Sequence, residues 1–349
     1  MIASLPVSDF ECHVVVPDEP PLRADLDAAG AHVHIVVMRR ITTTGSAGRW
    51  LGYALAWPVT VTRIAMLIRR LRIDVVHTNS LHSWYGWAAA LLTRRPHVWS
   101  AREIVVQSPA ALRLERFLVR HFATEVVSIS GAVAGQLDVK NGRIFSESVD
   151  PERFRPDRAG AFRTKHAIAD EAVLFGAAGR IDTWKGFDVL LDAWAIVAAA
   201  RSDMVLAIAG SAVEGKESYE RELRARADAT SGVRWIGPLD DPSDFFADLD
   251  AFVLPSTFPE PLGLVMLEAL ASGAPVIATD HGGPPEILAH HAERGRLVVS
   301  NDAPSLAEAI LELAPASSSV AVRAARKPLY VQPPAPWAAV FTDAAKERH

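Results

Sequence analysis

Short apolar runs rich in β-branched residues alternate with longer stretches of helical periodicity along the whole chain. This is the pattern of strand, helix, strand units and parallel sheets. In the first half it predicts strands at residues 13–16, 34–37, 74–77, 97–100 and 126–129, with a weaker one at 142–145. In the second half it predicts six more, at 173–177, 204–209, 233–236, 251–254, 276–278 and 297–299. Six such strands with helices between them make a full doubly wound sheet. The fold class is therefore α/β, with two Rossmann-like domains. Between the halves, residues 148–160 (SVDPERFRPDRAG) are rich in charge and proline and lack apolar periodicity, as a linker should. The expected organisation is an N-terminal domain over 1–155, a C-terminal domain over 156–330 and a tail over 331–349. Residues 337–347 of the tail form a final helix placed to pack back on the N-terminal domain.

Composition narrows the class. The chain has 349 residues, 50% of them hydrophobic, enough to bury a large core in each half. A net charge of -5 argues against a nucleic-acid partner held by broad phosphate neutralisation. The single cysteine, Cys12, forms no internal disulfide and has no zinc-ligand spacing around it. That usage fits a reducing, cytoplasmic setting. The start, MIASLPVSDFE, lacks the basic and apolar regions of a signal peptide. The most apolar stretch is 50–71, and Pro58 and Arg63 are expected to interrupt it short of a membrane span. Its Arg63, Arg69, Arg70 and Arg72 beside Trp and Leu suit two settings: an anionic membrane surface at the cytoplasmic face, or a helix packed on a sheet, which is the favoured reading.

The strongest chemical signal is AFVLPSTFPEPLGLVMLEALASGAPVIATDHGGPPEIL, residues 251–288. Glu260 falls in the loop at the carboxyl end of a strand, and Glu268 lies eight residues on, inside a helix that Gly263 should open. Side chains on a helix lean toward its N-terminus, so both carboxylates can reach one ligand. The free amides of Gly263 and Leu264 form an anion site at the helix start. A second signal, GRIDTWKG, runs from Gly179 to Gly186 after the strand VLFGAA. Arg180 and Lys185 there face the carboxyl edge of the sheet, where open α/β sheets bind ligands, and suit a diphosphate. Fixed cations and helix N-termini can stabilise a departing nucleoside diphosphate without a metal, so no metal or other cofactor is expected. Taken alone, each motif also fits ordinary solvated surface charges.

Together the two segments resemble the retaining glycosyltransferases of family 4, which have the GT-B fold of two Rossmann-like domains facing a central cleft. VDPERFRP, GRIDTWKG, LAIAGSAVEG, VRWIGPLD and the E-x7-E segment ending in GGPPEIL stand in the family's order. The resemblance implies transfer of a sugar, with retention, from a UDP- or GDP-type nucleotide-diphosphate sugar to a glycan, lipid-linked or small-molecule acceptor. It implies that Arg180 and Lys185 bind the donor pyrophosphate, Glu260 the transferred sugar and Glu268 the ribose. Gly186, Gly263 and Leu264 lie along the donor, and Ile236 to Leu239 near the base. It places the loops HTNS and SARE, with Asn79, Ser80, Arg102 and Glu103, at the acceptor. No general base is implied, because the leaving phosphate takes the acceptor proton.

The sequence departs from the family twice. Arg102 stands where many relatives have a histidine, and structural ion pairing is an equal explanation for Arg102 and Glu103. The first strand, glycine-rich turn and helix of the N-terminal domain have no counterpart, since residues 13–36 match the family's second strand onward. Loss of a central strand would leave unpaired strand edges. Two other functions accommodate the same motifs, a GT-B sugar-nucleotide epimerase and a non-catalytic sugar-nucleotide-binding protein. A dinucleotide-dependent dehydrogenase is disfavoured, because no G-x-G-x-x-G follows a strand in either half.

Overall fold

A computed structural model describes residues 1–39, 47–106, 108–139, 142–291, 294–316, 318–330 and 335–347. Residues 331–334 of the tail lie outside the described residues. The chain separates into two compact units, Met1–Ser146 with Pro334–His349, and Glu147–Pro333. The charged stretch 148–160 falls within the second unit.

In the first unit β1 (His13–Val16), β2 (His32–Ile35), β3 (Val76–Thr78), β4 (His97–Ala101), β5 (Glu125–Ser128) and β6 (Gly142–Ile144) alternate with α1 (Arg23–Ala28), α2 (Ala47–Arg70), α3 (Tyr85–Thr93), α4 (Pro109–Phe122) and α5 (Gly131–Leu137). All pairings are parallel. Among the described residues the strands do not join into one sheet: β1 and β2 form a pair, and β3-β4-β5-β6 form a separate ladder. Val15 of β1 and Val76 of β3 nevertheless pack against the same helical cluster of Tyr53, Val61, Ile64, Ile68, Tyr85 and Ala89. Leu5, Val98 and Val127 make another cluster with Val340 and Phe341 of the C-terminal helix, Trp337–Lys346.

One expectation fails here. Pro58 and Arg63 do not keep the stretch short of a span in length and composition, and α2 runs through Pro58 as a single 24-residue helix. Proline removes one backbone donor and crowds the preceding turn, a cost that burial of the Val61, Ile64 and Ile68 face outweighs. By length and composition Leu51–Arg70 could cross a membrane, although a third of that window is buried in the protein.

The second unit carries β7 (Val173–Ala178), β8 (Met204–Ala209), β9 (Val233–Gly237), β10 (Ala251–Leu254), β11 (Val276–Thr279) and β12 (Gly295–Val298). Before, between and after them lie α6 (Ala161–Lys165), α7 (Phe187–Ala200), α8 (Glu217–Ala229), α9 (Ser243–Asp248), α10 (Leu264–Ala271), α11 (Pro284–Leu288), α12 (Ala303–Leu313) and α13 (Val320–Ala324). The strands form one parallel sheet in the order β12-β11-β10-β7-β8-β9. Chain order reverses between β7 and β10, the switch point at which open sheets leave a crevice for ligand. Phe175, Leu206, Ile208, Val253 and Ile277 bury one face under Leu190, Trp194 and Val197 of α7 and Ile310 of α12. β7, β10 and β11 are apolar on both faces, as sheets covered on both sides require.

A buried polar network closes the second unit. Asp250, just before β10, accepts hydrogen bonds from Arg163 Nη2 at 2.8 Å, Ser318 Oγ at 2.7 Å and Arg326 Nη2 at 3.1 Å. Asp248 accepts from the Arg163 amide at 3.0 Å and faces Arg323 Nε at 3.5 Å. Burial depresses the Arg163 and Arg326 pKa values. The aspartates and the Arg163 and Arg323 fork nitrogens therefore hold each other in the dry interior and pin α6, α9, α13 and β10 together.

Candidate functional site

The switch point collects the second unit's chemistry. The loop after β7 contains Gly179, Arg180 and Lys185, and ends at Gly186, which caps α7 with a left-handed φ of 71°. A side chain there would strike the Pro255 carbonyl, so glycine is what lets this loop lie against the loop after β10. The Thr257 amide donates to the Trp184 carbonyl at 2.8 Å and fixes the two loops edge to edge.

Across that seam Lys185 Nζ lies 2.5 Å from Glu260 Oε1. Both side chains are largely buried. Ser256 Oγ donates to the same carboxylate oxygen at 2.7 Å, and the ammonium stands 4.2 Å from the centre of the Trp184 ring. A lysine held by one carboxylate and one ring keeps donor capacity for an incoming anion. Arg180 is exposed and makes no hydrogen bond or ion pair with a described residue. It is free to take a phosphate.

Gly263, at φ 85°, starts α10, and neither its amide nor that of Leu264 has a partner among the described residues. These amides lie three and four residues beyond Glu260. One turn into α10, Glu268 is half-buried, and burial raises its carboxyl to about 7 against the opposing pull of Arg153. Ile236 and Leu239, half-buried at and beyond the end of β9, are farther along the same sheet edge. They connect to the β7 loop through glycines: the Gly210 amide donates to the Gly237 carbonyl at 2.8 Å, and a side chain on Gly210 would strike the Gly179 carbonyl.

Sequence reading missed Trp184, Ser256 and Arg153, whose roles arise only when distant loops meet. It also missed His281. This residue follows β11, and its neighbour Gly282 pairs with Glu260 as an isolated bridge. Both His281 ring nitrogens are shielded from solvent and have no hydrogen-bond partner among the described residues, an arrangement that costs free energy unless a ligand completes it.

In the first unit, Asn79 is exposed, whereas Ser80 donates to Glu103 Oε1 at 2.5 Å. Glu103 Oε2 also accepts from the Leu81 and Arg102 amides at 3.0 and 3.2 Å. Glu103 thus ties the loops after β3 and β4 together. Among the described residues, no group of three or more His, Cys, Asp or Glu is placed to hold a metal ion.

Two family models match. "Glycosyl transferase 4-like domain" covers residues 1–145, and "Glycosyl transferases group 1" covers residues 160–320. The chain is 30% identical over 284 residues to a GDP-mannose-dependent monoacylated alpha-(1-6)-phosphatidylinositol monomannoside mannosyltransferase of Corynebacterium glutamicum. That alignment covers 73% of the chain and 71% of the relative. The chain belongs to the family 4-like GT-B glycosyltransferases.

A second relative of this glycosyltransferase is the lipopolysaccharide core biosynthesis mannosyltransferase LpsB of Rhizobium meliloti, 32% identical over 191 residues. There the match spans about half of each protein, 54% in both cases. The glycosyltransferase fold also matches a crystal structure of Anabaena HepE in complex with UDP and glucose, with a TM-score of 0.73 and 22% identity over 96% of the chain and 90% of that structure. Sucrose-phosphate synthase from Thermosynechococcus elongatus matches with a TM-score of 0.66 and 20% identity, over 93% and 85%.

Proposed function

We propose that this chain is a retaining glycosyltransferase that moves a sugar from a GDP- or UDP-type nucleotide-diphosphate donor to a glycan, lipid-linked or small-molecule hydroxyl. The observation that carries this reading is the Lys185–Glu260 pair, a largely buried cation and carboxylate at the switch point of the sheet. Before donor arrives the two charges satisfy each other. With donor bound, Lys185 and Arg180 turn to the pyrophosphate, and Glu260 is released to accept from sugar hydroxyls. The amides of Gly263 and Leu264 and the Gly186 turn line the diphosphate. Glu268 takes the ribose hydroxyls, and Ile236 to Leu239 flank the base. The relative from Corynebacterium is named for GDP-mannose, which favours a guanine donor as the first to try.

In the reaction, the bond between the anomeric carbon and the β-phosphate oxygen breaks while the acceptor oxygen bonds to that carbon from the same face. The acceptor proton passes to the leaving phosphate oxygen. Growing charge on the diphosphate is met by two cations and a helix start already in place, so the protein supplies positioning and electrostatics and needs no metal. Asn79 is the exposed acceptor candidate, and Arg102 lies in the loop after β4 that Glu103 ties to the loop of Asn79. Ser80 and Glu103 shape that loop. The setting we propose is cytoplasmic.

The test is incubation with GDP- and UDP-sugars and a panel of acceptors. Release of nucleoside diphosphate together with a glycoside of unchanged anomeric configuration supports the reading. An isomerised sugar nucleotide would make the protein an epimerase, and binding with neither outcome a non-catalytic receptor.

A further inference from the structure

The loop between β3 and α3 holds an imidazole that has no part in donor binding. His82 Nδ1 lies 3.4 Å from Glu115 Oε1 of α4, and the same oxygen accepts from Trp84 Nε1 at 3.2 Å. Glu115 is only 3% exposed, whereas the His82 side chain is 42% exposed. The His82 amide donates to Ser80 Oγ at 3.2 Å, which fixes the backbone that carries the ring. Nδ1 is thus engaged, and Nε2 makes no hydrogen bond to a described residue.

Taking a carboxylate out of water is costly unless a cation or a full set of donors meets it. Glu115 lacks the full set, since its Oε2 is shielded and has no hydrogen-bond partner among the described residues. Among those residues its ion-pair partner is His82. A carboxylate oxygen facing Nδ1 can only accept, so Nδ1 carries the proton, and the neutral ring then presents Nε2 as an acceptor. The charged groups acting on the ring are Glu115 of α4 and Glu103 of the loop after β4, and α3 carries no charged side chain. The hydrogen bond to Glu115, followed by these two charges, raises the His82 pKa against the cost of burial. A more basic Nε2 is a stronger acceptor.

We propose that His82 binds a hydroxyl of the acceptor through Nε2, and that Glu115 is the positioning residue that holds the ring in the required tautomer. The inference rests on the transfer reading above and adds the chemistry of the group that the acceptor presents here. Asn79, the exposed acceptor candidate, lies three residues earlier in the same loop. The group that fits is an uncharged hydroxyl of a sugar or polyol, because Glu103 and Glu115 together would repel a phosphate or carboxylate at this ring. A purely structural clasp between the loop and α4 accounts for Trp84 on Glu115. It does not account for a half-exposed imidazole on the same oxygen.

Transfer kinetics of the full chain at saturating donor, with a responsive acceptor varied, test this. His82→Phe should raise the acceptor KM about fivefold, the loss of one hydrogen bond, with kcat little changed. His82→Gln, whose amide oxygen can still accept, should recover most of that loss. Both variants should keep the wild-type thermal midpoint, since the side chain is exposed. In the wild type the acceptor KM should rise as pH falls through the His82 pKa, because a protonated Nε2 cannot accept, and Glu115→Gln should move that rise to lower pH. Nitrogen NMR of histidine-labelled protein reads the tautomer with no acceptor present, and neutral His82 should carry its proton on Nδ1. A proton on Nε2, an acceptor KM unchanged in His82→Phe, or a KM that falls on acidification overturns the proposal. Failure of the wild type to release nucleoside diphosphate from any donor, with or without acceptor, would instead sink the transfer reading on which it rests.

Discussion

The two units are built from the same strand and helix alternation and differ in how their sheets are completed. In the second unit β7, β10 and β11 lie side by side, and nearly every residue in them is buried. In the first unit all four residues of β1 are only half-buried, and no backbone ladder joins β1 to β3 among the described residues. The contrast shows what a binding site asks of its scaffold. The loops after β7, β10 and β11 ride on adjacent strands fixed on both sides, so Lys185, Glu260 and the Gly282 bridge hold their places with little freedom. The pair β1 and β2 relies instead on helical cover from α2 and α3.

If the second unit is the stiffer one, its interior should be the costlier to disturb. Asp250→Ala would leave Arg163 and Arg326 without the carboxylate they share. Breaking a buried charge network from one side costs about 3–5 kcal/mol. Val15→Ala, at a half-buried site in β1, should cost only about 1 kcal/mol. Urea unfolding of both variants measures the difference, and equal midpoints would end the claim of asymmetry.

A smaller energy with a larger functional reading concerns the seam itself. Lys185→Ala removes the cation that would meet the departing diphosphate, and it leaves the buried Glu260 carboxylate with Ser256 as its side-chain partner among the described residues. Loss of one fixed charge-stabilising group typically lowers turnover about 10²–10³-fold. Transfer rates on a responsive donor and acceptor pair should fall by that factor, with stability dropping by about 1–3 kcal/mol for the carboxylate left without its cation. A variant that lost stability but kept its rate would make the pair a structural clasp.

Much of this was legible in the chain before any coordinates. Interior parallel strands are covered on both faces, so they appear as unbroken apolar runs, and β8 and β10 lie at the residues expected for them. Edge strands are half-exposed and mix in polar residues such as His32 and Arg296. Their expected starts, residues 34 and 297, therefore fall two residues late. Lys185 and Glu260 were readable as candidates at one sheet edge because a strand end followed by a glycine turn has one orientation in such a sheet, and the structure pairs them. Their partners were not. Trp184, Ser256 and His281 have no distinguishing spacing, and Arg163 and Asp250 are 87 residues apart. Glu103 was an acceptor candidate from its loop alone, and only geometry shows both of its oxygens engaged by Ser80 and by backbone amides. For α2 the helix itself was legible, and what failed was its span length, since Pro58 and Arg63 count against a long apolar stretch locally while the helix runs on through both.

The smallest effect lies at Glu268, one turn into α10 and still in the stiff unit. Burial raises its carboxyl from 4.5 to about 7. Between those values the folded chain binds more protons here than the unfolded chain. This residue's contribution to stability is therefore fully present below about pH 4.5 and is lost as pH rises through about 7. Glu268→Gln cannot titrate, so the wild type should lose urea resistance relative to it across that window. Ligand binding should run the other way. Ribose hydroxyls donate best to an ionised carboxylate, so affinity for a nucleotide sugar should rise a few-fold as pH passes through about 7, and Glu268→Gln should flatten the rise. A nucleotide sugar is the right probe because its diphosphate diester does not titrate there. Isothermal calorimetry one unit to either side of the midpoint reads the slope. Affinity that fell with pH would mean that the protonated carboxyl is the form the ligand selects, and Glu268 would no longer be the acceptor for the ribose.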